Sequence, residues 1–392
     1  MEKMTTRKLN LYCSLLFAAG YAMAYVVSVS FSSYLNLAGY ANATIATLSS
    51  ITSIASYIVK PIAGQIIDAG KCKKTGFVLS ALTLIFSVIF YAAPTKTMPI
   101  AVLYAVFAIT CCGSISFLMD SWIIKLIQQN EGMEYARLRA FGSLSYAVTG
   151  LIFGTLFNLF GYTANLVVVP AIILLEIYIY TRLPDPELTE ASRHKTRILD
   201  HLEIFKDPMF DIFLFIESCG MCVLSALDSY IPVLILQMGG TTVHSGIATF
   251  VLAGTEFLCG MFMFSKVADK VGTDRTVWMG LIGFTVKCFA VSLMPSPVLI
   301  ILACLTQAIS YCFFMPGKMR YIQENVTAEN VGTALSVANL VQAACSVLIF
   351  NPLIGSFSNS YGTAGMLERF GVISACLGVA FIIALRIFKK KA

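Results

Sequence analysis

The stretch Asp120–Tyr146 reads DSWIIKLIQQNEGMEYARLRAFGSLSY: an acid near the end of one apolar run, a short polar loop, then two arginines opening the next run. Asp120 and Arg139 stand at run ends that leave a hydrocarbon layer on the same side, so similar depth is expected of them. Tyr146 follows Arg139 by seven residues, which on a helix is two turns on the same face, about 10 Å further in. An acid, a base and an aromatic ring facing one space suit a polar solute. The same acid and base also suit a helix-end ion pair, and this stretch alone does not choose.

Working outward, apolar runs of the same kind recur along the whole chain. They fall near 9–37, 43–67, 75–94, 98–127, 137–160, 163–183, 207–237, 243–267, 276–294, 297–323, 330–357 and 364–388. Each is long enough to cross about 30 Å of hydrocarbon as a helix, the form that satisfies its own backbone there. Of 392 residues, 58% are hydrophobic and 12% charged, about half the charged fraction of a soluble chain. The sequence therefore predicts an all-α polytopic membrane protein with twelve transmembrane helices. A charged, Pro-started linker at 184–206 separates two six-helix bundles, 1–183 and 207–392.

The net charge of +6 is explained by position rather than by a nucleic-acid partner. With the N-terminus in the cytoplasm, inside segments hold Lys3, Arg7 and Lys8, then Lys71, Lys73 and Lys74, then Lys125, Arg137 and Arg139. The linker, Lys266, Lys270, Arg275, Lys318, Arg320 and the FKKKA tail continue the pattern, while outside segments hold only Lys96 and Arg369. Both termini are thus expected to be cytoplasmic in a cytoplasmic membrane. The first run, behind its basic residues, is too long for a cleaved signal and reads as an uncleaved span.

The 12 cysteines are scattered through apolar runs with no metal-ligand spacing, so they read as small buried residues and no metal or other cofactor is expected. There is no Walker-type loop and no spacing of a catalytic triad, which argues against an ATP-driven pump or an enzyme. Ionisable groups inside spans are functional candidates because each is costly unless paired or wet. Glu217, Glu256 and Lys287 fall near mid-membrane, Asp228 toward the outside end of span seven, and Glu176 within span six. Glu217 and Asp228, eleven residues apart, share a face. A carboxylate beside Lys287 is expected to be what makes it tolerable. No histidine lies in a span, so any proton must ride on a carboxylate. Tyr21 and Tyr25, Gln307 and Ser310, and Asn339 and Gln342 form same-face polar pairs that suit a solute path or interhelical contacts equally. Gly142, Gly150 and Gly154 suit close helix packing.

Two loops repeat a pattern at equivalent places in the two halves: GQIIDAGKCKK, with Asp68, Lys73 and Lys74, and SKVADKVGTDR, with Asp269, Lys270 and Arg275. Each resembles the loop signature G-x-x-x-D-[KR]-x-G-x-[RK]-[RK] of the major facilitator superfamily. The first copy has Ala69 and Lys71 where a base and Gly are usual, and the second lacks the leading Gly. The resemblance implies a pseudo-symmetric pair of bundles whose loops, through Asp68, Lys73, Asp269 and Arg275, lock helix ends during alternating access.

The opening stretch is similar to the lactose-permease and nucleoside-symporter branch, where an acid ends span four and R-x-R-x-[FW]-G opens span five. The resemblance implies that Asp120 and Arg139 hold solute hydroxyls and that Tyr146 takes the place of a stacking tryptophan. Arg137, about 200° round the helix from Arg139, faces elsewhere. Asp228, Glu256 and Lys287 match charged positions of spans seven, eight and nine, Glu256 being the proton-coupling position. Span ten departs, with Gln307 and Ser310 in place of His and Glu, and span eleven has Gln342 or Ala343 in place of Lys.

The expected function is secondary active transport of a sugar, glycoside or nucleoside by a monomer. Substrate would meet Asp120, Arg139, Tyr146, Tyr21, Tyr25, Gln307 and Asn339, and proton coupling would involve Glu256, Glu217, Asp228 and Lys287. Alternatives are an exporter of amphipathic compounds, an uncoupled facilitator, or a non-transporting membrane sensor.

Overall fold

The structure is a computed structural model describing residues 5–29, 31, 34–35, 40, 42–93, 97–187, 207–328 and 330–388. It is helical throughout these residues and divides into two compact units, the first of residues 1–198 with 328–336, the second of 199–327 with 337–392.

In the first unit α1 (Thr6–Ala24) runs on into a π turn, Tyr25–Val29. Then follow α2 (Asn42–Asp68), α3 (Cys72–Ala92), α4 (Met98–Gln129, with a π turn at Tyr104–Ile109), α5 (Tyr135–Phe160) and α6 (Asn165–Arg182). The second unit holds α7 (Pro208–Gln237), α8 (Thr242–Phe262), α9 (Thr273–Ser292) and α10 (Pro297–Asn325). A continuous tract from Val331 to Phe388 follows. It breaks at Gly362, whose φ of 70° only glycine adopts without strain. The break makes two helices of it, α11 (331–361) and α12 (363–388). Residues 331–336 of α11 group with the first unit.

Among the described residues, each of the twelve expected runs corresponds to one of these twelve helices. Eight tracts among the described residues are long and apolar enough to cross a membrane, the one from Val331 to Phe388 containing two helices. The remaining helices α2, α5 and α9 carry Lys60, Arg137 and Arg139, and Lys287 respectively. Local chemistry sets several starts. Asp207 caps α7 by accepting from the Met209 amide at 2.9 Å with Pro208 at the first helical position, and Ser296 with Pro297 does the same for α10.

The expected linker 184–206 lies outside the described residues from 188 onward. Its first residues are fastened to the first unit: Trp122 Nε1 donates to the Pro184 carbonyl at 2.9 Å, and Asp185 accepts from the Lys73 amide at 2.9 Å.

Packing follows the membrane rule of small residues at crossings and apolar residues outside. On α5, Gly142 and Gly150 sit under the Tyr21 and Tyr25 rings of α1, where a Cβ would lie 2.7 and 3.2 Å from ring carbons. Gly280 of α9 meets the Phe314 backbone of α10 in the same way. An aromatic cluster, Phe31, Phe90, Tyr91 and Tyr104, fills one end of the first unit, and the Tyr104 hydroxyl is satisfied by the Val27 carbonyl at 3.1 Å. Glu176 is buried between α6 and α3, accepting from Ser80 at 2.9 Å with Tyr180 beside it. That is a structural setting for an intramembrane acid.

Two segments depart from the sequence reading. The second signature loop is largely a short helix, Phe264–Val271, with Phe264 and Ala268 buried and Lys266 and Lys270 on another face. Its spacing is amphipathic. The tenth run is not one α-helix: Cys304–Ala308 forms a 3-10 stretch and Ser310 leaves helical geometry.

Candidate functional site

The first unit gathers the opening stretch with α1. Arg139 is 7% exposed and its Nη2 donates to the Tyr21 hydroxyl, with the guanidinium carbon 5.2 Å from the Tyr21 ring centre. Such a placement combines a hydrogen bond with attraction to the ring face. Tyr146 meets Tyr25 edge-on, centroids 5.2 Å apart. Asp120 accepts from the Tyr135 hydroxyl at 2.7 Å. The expected five residues Asp120, Arg139, Tyr146, Tyr21 and Tyr25 therefore share one unit and three helices. Arg137 does turn away: its side chain is 51% exposed and pairs with Glu134 at 2.9 Å. Tyr135 escaped the sequence reading, although it precedes Arg139 by one turn and so shares its face.

The second unit assembles a second polar set from four helices. Lys287 (α9) is fully buried and donates to Gln307 Oε1 at 2.6 Å; Gln307 Nε2 (α10) in turn donates to Glu256 (α8) at 2.7 Å. Asp228 (α7) lies 3.9 Å from Lys287 with its side chain 53% exposed. Gln307 is thus the bridge between a buried ammonium and a half-buried carboxylate, its amide offering an acceptor to one and a donor to the other. It sits in the 3-10 stretch of α10, and interrupted helices are where transporters place ion and solute groups. Expected as a solute contact, Gln307 is 2% exposed and has both ends of its amide engaged by charged groups. Asn339, half-buried on α11, belongs to the same unit.

Glu217 has a separate partner. It is fully buried and forms an ion pair with Lys318 of α10, itself 4% exposed. Lys318 reads as a basic loop residue in the sequence and is instead inside the helix packing, a second deep cation in addition to Lys287.

The loop acids find equivalent partners. Asp68, 3% exposed, pairs with Lys125 of α4 at 2.7 Å and accepts from the Gly332 amide, the Thr333 amide and the Thr333 hydroxyl at 2.9, 2.8 and 2.8 Å. A carboxylate at the first amides of α11 is the favourable end of that helix for an anion. The contact requires Gly332, where a Cβ would lie 2.6 Å from Asp68 Oδ1 and 2.7 Å from the Gly64 carbonyl. In the second unit Asp269 pairs with Arg320 of α10 at 2.7 Å, and Arg320 with Glu324 at 2.9 Å. Lys73 contributes its amide, to Asp185, and Arg275 is exposed.

Comparison with known proteins agrees with this architecture. Residues 11–350 match the Major Facilitator Superfamily. The chain is similar to a maltose permease of Geobacillus stearothermophilus, 23% identical over 384 residues, 96% of this chain and 93% of that protein. Among solved structures it is similar to the proton:xylose symporter XylE, with 14% identity and a TM-score of 0.75 over 98% of this chain and 96% of the other. It is also similar to the nucleoside transporter NupG, with 16% identity and a TM-score of 0.63 over 96% and 99%. A third is the human organic anion transporter MFSD10, with 10% identity and a TM-score of 0.67 over 96% and 100%. Identities this low between solved structures carry the fold and nothing finer. The family match over most of the chain does carry membership: this is a multi-pass membrane protein of the Major Facilitator Superfamily, whose members are transporters and not enzymes.

Proposed function

We propose that the chain is a proton-coupled secondary transporter that takes up a small polar organic solute, of the sugar, glycoside or nucleoside kind, by alternating access. The observation that carries the reading is the contact chain Asp228, Lys287, Gln307 and Glu256. Two carboxylates and one ammonium hold a formal charge of −1, and one proton on a carboxylate makes the set neutral. Glu256 is the proposed carrier, because Gln307 donates to it and holds Lys287 on the far side of its amide. The solute is assigned to the other unit, where Asp120 and Arg139 offer opposite charges to hydroxyls and Tyr146 and Tyr25 offer ring faces. The uses of a maltose permease and of xylose and nucleoside carriers support the solute class.

The chain is taken to work as a monomer in a cytoplasmic membrane with both termini inside, on the strength of the alternating basic segments. Asp68 and Asp269, with the amide of Lys73 and the exposed Arg275, are assigned to gating.

The test is uptake into proteoliposomes of labelled maltose, xylose and uridine under an inward proton gradient. Glu256→Gln should exchange solute across the membrane but no longer concentrate it, and Arg139→Ala should lose both. Concentrative uptake that survives in both Glu256→Gln and Glu217→Gln refutes the coupling assignment. Flux of none of the three solutes with the gradient, but efflux of an organic anion, would favour a second reading that rests on the buried Arg139 guanidinium.

A further inference from the structure

The face of the first unit formed by α2, α3 and α4 carries a groove of about 540 Å³. Its walls are apolar: Ile58, Ile62 and Ile66 of α2 face Val78 and Leu82 of α3 and Phe107 of α4. The three isoleucines recur every four residues and so form one stripe. They are 62%, 55% and 38% exposed, and Ile54, one turn earlier, is 60% exposed. From Ile54 to Ile66 the stripe runs about 18 Å along the helix, close to the roughly 15 Å hydrocarbon depth of one leaflet.

One end of the groove is different. Lys71 and Lys74 line it there, both exposed. Among the described residues neither takes part in an ion pair. Asp68, three residues before Lys71, is held by Lys125 and the start of α11, and Asp185 accepts from the Lys73 amide. Two uncompensated ammonium groups at the mouth of a leaflet-deep apolar channel fit a molecule with a long apolar chain and an anionic head. A soluble anion has no use for the channel, and a neutral apolar compound has none for the lysines.

We propose that this groove binds one anionic phospholipid, with an acyl chain along Ile58, Ile62 and Ile66 and the phosphate between Lys71 and Lys74. The site is separate from both polar sets described above. It abuts the turn after Asp68, so an occupant steadies the segment that presents Asp68 to α11.

The test is native mass spectrometry of the delipidated full-length protein with phosphatidylglycerol or phosphatidylcholine of identical acyl chains. One phosphatidylglycerol should bind in preference to phosphatidylcholine. Lys71→Gln with Lys74→Gln should weaken it about thirtyfold, the effect of two basic residues near an anionic surface. Lys266→Gln with Lys270→Gln, a basic pair in the second unit, should leave it unchanged. Ile62→Trp, at an exposed wall position, should reduce adducts of both lipids by filling the channel. The proposal is overturned if the two lipids bind equally, or if the two double variants lose phosphatidylglycerol to the same degree. Undiminished binding in Ile62→Trp overturns it as well, and that variant decides the matter should the Lys71/Lys74 protein fail to fold.

Discussion

Replacing Asp68 with Asn isolates what the buried loop acid does. The amide keeps one acceptor oxygen but turns an NH2 group toward donors. Lys125, 3% exposed, is then left without a carboxylate and with neutral acceptors, among them the Ile67 carbonyl at 3.4 Å. Deleting one member of a buried ion pair costs about 3–5 kcal/mol. Neutralisation that keeps one hydrogen bond falls at the lower end, about 3 kcal/mol, the strength of one or two bonds to a charged group. If that loss falls on the opening of the α11 start, the open fraction rises about a hundredfold. Hydrogen exchange reads this directly: amides over 330–336 should exchange about a hundredfold faster in Asp68→Asn, while those of α3 keep their rates. Asp269→Asn is the internal comparison. Its side chain is 66% exposed, so its pair is worth no more than about 1 kcal/mol and exchange nearby should change less than about fivefold. Equal small effects in the two variants, or unchanged rates over 330–336, would refute the reasoning.

Three further outcomes follow from the same structure. Lys318→Met strands the buried Glu217 and should lower the thermal midpoint by the equivalent of about 3–5 kcal/mol, and adding Glu217→Gln should recover at least half of it; no recovery in the double variant would mean the pair does not act as a pair. Gly142→Ala places a methyl 2.7 Å from the Tyr21 ring, displacing the partner of Arg139 at about 1–3 kcal/mol, so solute-induced thermal stabilisation should shrink; Gly113→Ala, with nothing within 4 Å of the new methyl, should be silent. Gln307→Leu removes the bridge between Lys287 and Glu256 and should abolish concentrative uptake, whereas Gln307→Glu, which restores an acceptor for Lys287, should recover the folded yield but not the coupling.

The helices were legible because each apolar run is long enough to span hydrocarbon and is closed by polar residues, and because α7 and α10 carry Asp-Pro and Ser-Pro starts. The break in α10 was not. Residues 297–310 contain no Gly or internal Pro to announce it, and it occurs where α9 offers Gly283 directly beneath Ile309, a tertiary cause. The charged residues of the second unit were identifiable one by one as costly intramembrane groups, but their pairing was not. Lys318 sits in a K-M-R sequence that looks like a basic loop, and only its burial against Glu217 assigns it. A mid-membrane Glu217 with no named cation was the signal that such a partner had to exist. Asp68 and Gly332 are 264 residues apart, a distance over which no local periodicity speaks. Tyr135, one turn before Arg139, was within reach of a same-face argument.

The two loop acids share a design and differ in their response to electrolyte. Asp269 and Arg320 have side chains 66% and 32% exposed, in water where the screening length is about 8 Å at physiological ionic strength and about 3 Å at 1 M salt. Asp68 and Lys125, at 3% each, are shielded from mobile ions by the protein around them. Raising the salt concentration therefore loosens the fastening of the second unit's loop and leaves that of the first in place. An ionic-strength titration is thus a means of addressing one repeat of a duplicated element without a mutation.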